Sequence, residues 1–259
     1  MNKIGLQLYS LREETEKDFL GTIQKVADLG YAGVQFAGFY ETPAREVKRT
    51  LHENQLVSAG AHIGFSQLFG DELPKTFDYQ DMIGNNLIIC PAIPEEKRQS
   101  ADDYMRIAET FNNIGQTCKE EGFVFGYHNH DFEFARFGEK TGFELLFEHT
   151  DPALVKMELD CYWAEFANCT PKEILHKYQE RIVSLHIKDM KMEDGHKKGT
   201  EIGNGKLDFE GIVRTAKEYG IGWLTVEQEE FERDPYESLM INLENLQRIK
   251  SKVETGVSP

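Results

Sequence analysis

The stretch Val183-Ser184-Leu185-His186-Ile187-Lys188-Asp189 alternates apolar and polar residues and ends on metal-ligand and charged side chains. At a strand's period of two, Val183, Leu185 and Ile187 share one face and Ser184, His186 and Lys188 the other. The apolar face suits a cover of helices, whereas the polar face needs an interior that can use it. Three further apolar runs end in the same manner, at Tyr127-His128-Asn129-His130, Leu159-Asp160 and Val226-Glu227. Ligand residues recurring at strand ends roughly every 25 to 40 residues are what a parallel barrel needs to aim several side chains at one point.

Working outward, apolar β-rich runs lie near residues 3–9, 32–37, 56–63, 86–91, 122–129, 154–160, 182–188 and 222–227, giving eight candidate strands. Helix-like stretches fall around 17–30, 42–54, 100–121, 141–149, 170–180, 208–219 and 235–252. Thr170-Pro171 and Asp234-Pro235 have the composition of helix starts, and Gly30, Gly122 and Gly220 that of helix ends. The interval 64–85, with Gly, Pro and aromatics and only a short helix candidate, reads as a lengthened loop. A chain of 259 residues with 40% hydrophobic content and no low-complexity linker is the usual size of a single (β/α)8 TIM barrel, expected here as one domain over residues 1–259. A doubly wound sheet would alternate similarly, but it needs a Gly-rich phosphate turn after its first strand. That position holds Ser10-Leu11-Arg12-Glu13-Glu14, and Gly203-Asn204-Gly205 is too short and too late to serve.

Composition excludes several roles. A formal net charge of −16, from 45 acidic and 29 basic residues, should repel nucleic acid and anionic membrane. No run approaches the roughly 18 apolar residues of a membrane span, and the apolar segment at the N-terminus is too short for a signal peptide, so a cytoplasmic protein is expected. Cys90, Cys118, Cys161 and Cys169 form no Cys-x-x-Cys pair and read as thiols.

The same parity places Gly5, Gln7 and Tyr9 on one inward face, with Gly60 and His62, Gly126, His128 and His130, Glu158 and Asp160, and Trp223, Thr225 and Glu227 on others. Polar groups thus gather where a barrel carries its active site. Asp160, His186 and Glu227 are the expected ligands of one divalent ion, a mixed set that fits Mn, Co or Zn better than Mg. The fourth ligand is either His128, on the inward face, or Glu133, just past the strand; Glu133 is the preferred choice. His130 and His62 would then face substrate, with Gln7 as a further substrate-binding candidate and Trp163 as an apolar floor for a sugar ring. Lys188, in its apolar setting, either pairs with an acid or stabilises an anion.

Taken in order, Ile4-Gly5-Leu6-Gln7-Leu8-Tyr9-Ser10, Tyr127-His128-Asn129-His130-Asp131-Phe132-Glu133-Phe134, Leu159-Asp160, His186-Ile187-Lys188-Asp189, Ile202-Gly203-Asn204-Gly205-Lys206-Leu207-Asp208-Phe209 and Thr225-Val226-Glu227 resemble the xylose-isomerase-like TIM-barrel family of sugar phosphate isomerases and epimerases. The resemblance covers nearly the whole chain. It implies one ion held by Glu, Asp, His and Glu, aldose–ketose isomerisation or epimerisation through an enediolate, a small sugar as substrate and a possible homo-oligomer. The chain departs from the pattern at His128, where a Glu commonly stands, and at Trp163, where a His does. The expectation is therefore a metal-dependent isomerase or epimerase of a sugar, sugar phosphate or keto-polyol, with His128, Glu227 and Lys188 as catalytic candidates. The alternative is a lyase on the same scaffold, of the type that dehydrates keto-inositols or cleaves 3-keto-glycosides. A non-catalytic sugar-binding barrel is a third reading.

Overall fold

The computed structural model describes residues 2–256. Eight strands, β1 (Lys3–Gln7), β2 (Gly33–Phe36), β3 (Val57–His62), β4 (Leu87–Cys90), β5 (Val124–His128), β6 (Val155–Asp160), β7 (Ile182–Ile187) and β8 (Trp223–Val226), form a closed barrel. All neighbours are parallel, and β8 closes on β1 through the register Lys3 to Trp223 and Leu6 to Val226. The ends of β6, β7 and β8 meet the period-two rule: Leu159, Leu185, Ile187, Leu224 and Val226 point outward and are fully buried under helices.

The helices form for local reasons. Phe19–Leu29 begins where the Asp18 carboxylate accepts the Gly21 amide and ends at Gly30, whose φ of 98° is the left-handed conformation that closes a helix. Its buried stripe, Phe19, Ile23 and Val26, has helical spacing and packs on the barrel. Pro235–Thr255 starts in the same way, with Asp234 accepting from Tyr236 and Glu237 amides.

Three segments differ from the sequence reading. Residues 64–85 are not one loop but a 3-10 turn at Phe65–Leu68 followed by a full helix, Glu72–Ile83. Pro74 stands in its first turn, where a missing amide hydrogen costs no helical bond, and the polar Thr76 and Gln80 interrupt its buried stripe. Asp189–Glu193 and His196–Thr200 form an antiparallel hairpin turned at Asp194-Gly195, both with positive φ. A short helix, Cys161–Phe166, follows β6 directly.

The interior is filled in layers. At the bottom the Trp223 indole lies over Gly5 and Gly33, where a Cβ would come within 3.3 and 2.8 Å of it. Above it stand Gln7, Gln35, Glu158, Ser184 and Thr225, all with essentially no exposure. The register between β2 and β3 shifts between Val34 and Phe36, opposite Gly60 at a φ of 124°. At the top, strand ends deliver His62, His128, Asp160, His186 and Glu227.

One packing contact is open to test. Gly115 lies inside the helix Ala101–Glu120, where alanine is the better helix former by about 1 kcal/mol. A Cβ there would stand 2.5 Å from the Leu154 carbonyl oxygen. Gly115→Ala is therefore expected to destabilise the protein by about 1–3 kcal/mol in urea unfolding, the overpacking cost exceeding the propensity gain. A stabilised variant would show that the helix can shift away from β6.

Candidate active site

A cavity of about 450 Å3 opens at the C-terminal mouth of the barrel and is lined by Tyr9, His62, His128, His130, Glu227 and Glu229, among others. Beneath it two sets of donors overlap, His128–Asp160–His186–Glu227 and His62–His128–Glu158–His186, with the ligand atoms of each set within 4.8 Å of one another. In the outer set His186 Nδ1 lies 3.0 Å from Glu227 Oε2 and 3.8 Å from Asp160 Oδ2, and His128 Nε2 lies 3.9 Å from that same Asp160 oxygen. In the inner set Glu158 Oε1 meets His62 Nε2 at 2.7 Å, His186 Nε2 at 3.0 Å and His128 Nδ1 at 3.2 Å.

Burial and mutual charge set the ionisation of these groups. Burial pushes Asp160 up to about 7, and the nearby Glu227 adds to that, while His186 opposes it. Burial would also raise Glu227, but the charge and hydrogen bond of His186 hold it below the ordinary carboxylate range. His186 is raised well above an ordinary imidazole because Glu158 and Glu227 flank it and outweigh its burial. His128 is lowered to about 3, first by burial and then by His186, and His130 is lowered to about 4 by burial. The cavity thus presents a charged carboxylate at Glu227 and a neutral imidazole at His130.

The outer set suits a divalent ion. Among the described residues, Asp160 Oδ2 is a buried oxygen with no hydrogen-bond partner, while Asp160 Oδ1 accepts the Trp163 amide at 2.8 Å. A carboxylate oxygen left so costs about 1–3 kcal/mol, and a cation removes that penalty. Two imidazoles and two carboxylates converging on one point are a donor set that could hold such an ion.

The remaining expected site residues fall in other places. Glu133 is fully buried but is not brought to the ion-binding sets; it accepts the Tyr127 hydroxyl and, at 2.8 Å, the His130 amide, so it pins the turn after β5. Gln7 is sealed in the middle layer, donating to Gln35 Oε1 at 2.6 Å. Trp163 stands beside His130, ring centroids 5.7 Å apart, with its Nε1 unpartnered among the described residues. Lys188 is 3% exposed and donates to Glu229 Oε1 at 2.8 Å, with its ammonium 4.1 Å from the Tyr162 ring. Despite burial, Glu229 and Glu227 keep that ammonium charged.

The match to known proteins follows this architecture. Residues 23–249 match the family described as xylose isomerase-like TIM barrel. The chain belongs to that family. Among curated proteins of this barrel type, inosose dehydratase of Clostridium botulinum (strain Alaska E43 / Type E3) is 26% identical over 254 residues, covering 83% of each chain. Among solved structures, a sugar phosphate isomerase/epimerase from Parabacteroides distasonis ATCC 8503 is 28% identical, with a TM-score of 0.78 over 95% of this chain and 94% of that one. A second from the same organism is 26% identical, with a TM-score of 0.81 over 95% and 98%. For this xylose isomerase-like barrel the comparisons support an enzyme that acts as a sugar isomerase or epimerase or as a dehydratase.

Three participants lie outside the sequence-derived set. Glu158 shares the inward face of β6 with Asp160, and that parity was its signal. Gln35 is the polar residue inside Val34-Gln35-Phe36 and donates to Glu158 Oε2 at 2.5 Å. Glu229 follows Glu227 by two and is recognisable only through its bond to Lys188.

Ion uptake is expected to depend on pH, because protons compete for Asp160 and His186. Both groups hold protons more tightly here than when free. Affinity for Mn or Zn, read by chelator competition, should therefore rise as pH increases from about 5.5 to about 8, and Asp160→Asn should abolish uptake. A flat profile would show that these two groups are not the ligands.

Proposed function

We propose that the protein is a metal-dependent lyase acting on an uncharged cyclic polyhydroxy ketone, removing the hydrogen beside the ketone and expelling the β-hydroxyl as water. The observation that carries the reading is that two unlike proton-handling groups, the Glu227 carboxylate and the His130 imidazole, both line the cavity. Epimerisation at one carbon uses two groups of similar basicity on opposite faces. Elimination uses a base for carbon and a donor for the departing oxygen. The inosose dehydratase relative supports the same choice, since that name states a loss of water.

His128, Asp160, His186 and Glu227 would hold the ion, and Glu133 would serve as a backbone clamp instead. A bound divalent ion supplies positive charge beside the ketone and its neighbouring hydroxyl, which makes the adjoining C–H more acidic. The Glu227 carboxylate accepts that proton, the C–H electrons form the new double bond, and the β C–O bond breaks. The His130 N–H hydrogen-bonds the leaving oxygen, which takes the proton accepted by Glu227, so that water departs and Glu227 returns to its carboxylate form. Lys188, tied to Glu229, holds the cavity rim in place. The residues lining the cavity include Glu227 and Glu229 but neither lysine nor arginine, which favours a substrate without phosphate.

Incubation with 2-keto-myo-inositol and added Mn in D2O tests this. The expected product is lighter than substrate by one water in mass spectrometry, and Glu227→Gln should lose at least about 100-fold in kcat. The Parabacteroides likeness favours isomerisation or epimerisation as a second reading. An isobaric product carrying deuterium on carbon would select that reading. Tight binding of the keto-polyol with neither water loss nor carbon exchange would select a sugar-binding barrel.

A further inference from the structure

Glu158 is the deepest charged group of the barrel top, with no exposed surface, and it lies in the strand interior below the mouth cavity. Three hydrogen bonds and one close ion-pair contact converge on it. Oε2 accepts from Gln35 Nε2 at 2.5 Å, and Oε1 faces His62 Nε2, His186 Nε2 and His128 Nδ1 at 2.7, 3.0 and 3.2 Å. An ionised carboxylate only accepts, so each nitrogen bonded to it carries its hydrogen on that side.

That arrangement decides which atom of each imidazole remains free. A neutral imidazole has one N–H and one lone pair. With its hydrogen on Nδ1 toward Glu158, His128 is left with the lone pair on Nε2, the nitrogen facing Asp160 Oδ2. His186 meets an acceptor on each nitrogen, Gln35 and Glu158 at Nε2 and Glu227 at Nδ1, so it carries both hydrogens until a cation at the outer set displaces the one on Nδ1, leaving Nε2–H in place. Gln35 reinforces the second choice. Its Oε1 takes His186 Nε2 at 2.7 Å while its Nε2 is committed to Glu158, and the Gln7 amide donates to that same Oε1 at 2.6 Å. The glutamine therefore has only one orientation that satisfies all its neighbours.

The inner and outer donor sets share His128 and His186 but would use opposite nitrogens of each. One neutral ring offers one lone pair, so the two sets are alternatives. We infer that Glu158 is a positioning residue that fixes the tautomers of His128 and His186, directing the ion to the outer His128–Asp160–His186–Glu227 set and denying it the inner one. The inference rests on the metal reading above. Both sets reach the open cavity, the outer through His128 and Glu227 and the inner through His62 and His128, so the tautomers decide between them. Carboxylate partners of metal-bound histidines typically change affinity by about 10- to 100-fold when removed.

The test compares Mn dissociation constants, by chelator competition, for the full-length protein and for Glu158→Gln, His62→Ala and Asp160→Asn. The expected pattern is a 10- to 100-fold weaker Kd in Glu158→Gln, a change of less than about threefold in His62→Ala, and no measurable binding in Asp160→Asn. Loss of binding in His62→Ala with retention in Asp160→Asn would place the ion in the inner set and overturn the inference. An unchanged Kd in Glu158→Gln would overturn it as well. If Glu158→Gln does not fold, Gln35→Met removes the second acceptor of His186 and should weaken Kd in the same direction; an unchanged Kd there would count against it. If the unaltered protein takes up no ion, the metal reading fails separately, and side-chain 15N NMR still decides the tautomers. His128 protonated on Nδ1 and His186 carrying hydrogen on Nε2 support the role of Glu158, and the opposite assignment for His128 removes it.

Discussion

A carboxylate taken out of water at the centre of a protein costs several kcal/mol, so a barrel interior keeps charge only as a set whose members neutralise one another. Glu158 imposes that condition here. Its lone pairs are occupied by His62, His128, His186 and Gln35, contributed by four strands in addition to its own. Because those partners come from around the circumference, the charge also ties the upper barrel together. Asp160 and Glu227 then approach His186 from the solvent side, where the cavity begins.

The segments beyond the strand ends hold this arrangement in register. Asn129 exchanges hydrogen bonds with the backbone of Asp160, accepting its amide at 3.0 Å and donating to its carbonyl at 3.3 Å, so the ends of β5 and β6 are locked side by side. Asp189 accepts the amides of Met190, Gly203, Gly205 and Leu207, folding the segment after the hairpin back under β7. Gly205 is required there, since a Cβ would run into that Asp189 carboxylate. Asn242 on the last helix bridges the Ile202 amide at 2.6 Å and the Gln228 side chain at 2.7 Å, which steadies the residue after Glu227.

The barrel was legible in the sequence because a parallel strand with helices outside and a polar interior leaves two separable signals, an apolar face and a ligand at its end. Asp160, His186 and Glu227 meet in space because three strands of one barrel end at one level. Glu133 illustrates what parity cannot supply: it lies beyond β5, and only the turn geometry shows its carboxylate bonded to its own neighbourhood. Glu158 had the right parity, but one residue pair further down the strand, so it reads as interior filling until the histidines are seen to close on it. The helix Glu72–Ile83 was hidden because Pro74 and two polar residues blur its stripe. The hairpin turn at Asp194-Gly195 carried a recognisable pair that its weakly apolar flanks did not support.

The Trp223 indole gives the barrel a stopper as well as a floor. With Gly5 and Gly33 packed against it, the indole fills the floor between β1, β2 and β8, opposite the mouth. Whatever enters the cavity lined by His62, His128 and Glu227 comes and goes by way of the mouth. A ligand still seated at the mouth would hold back whatever lies beneath it, so the order of departure is set by depth.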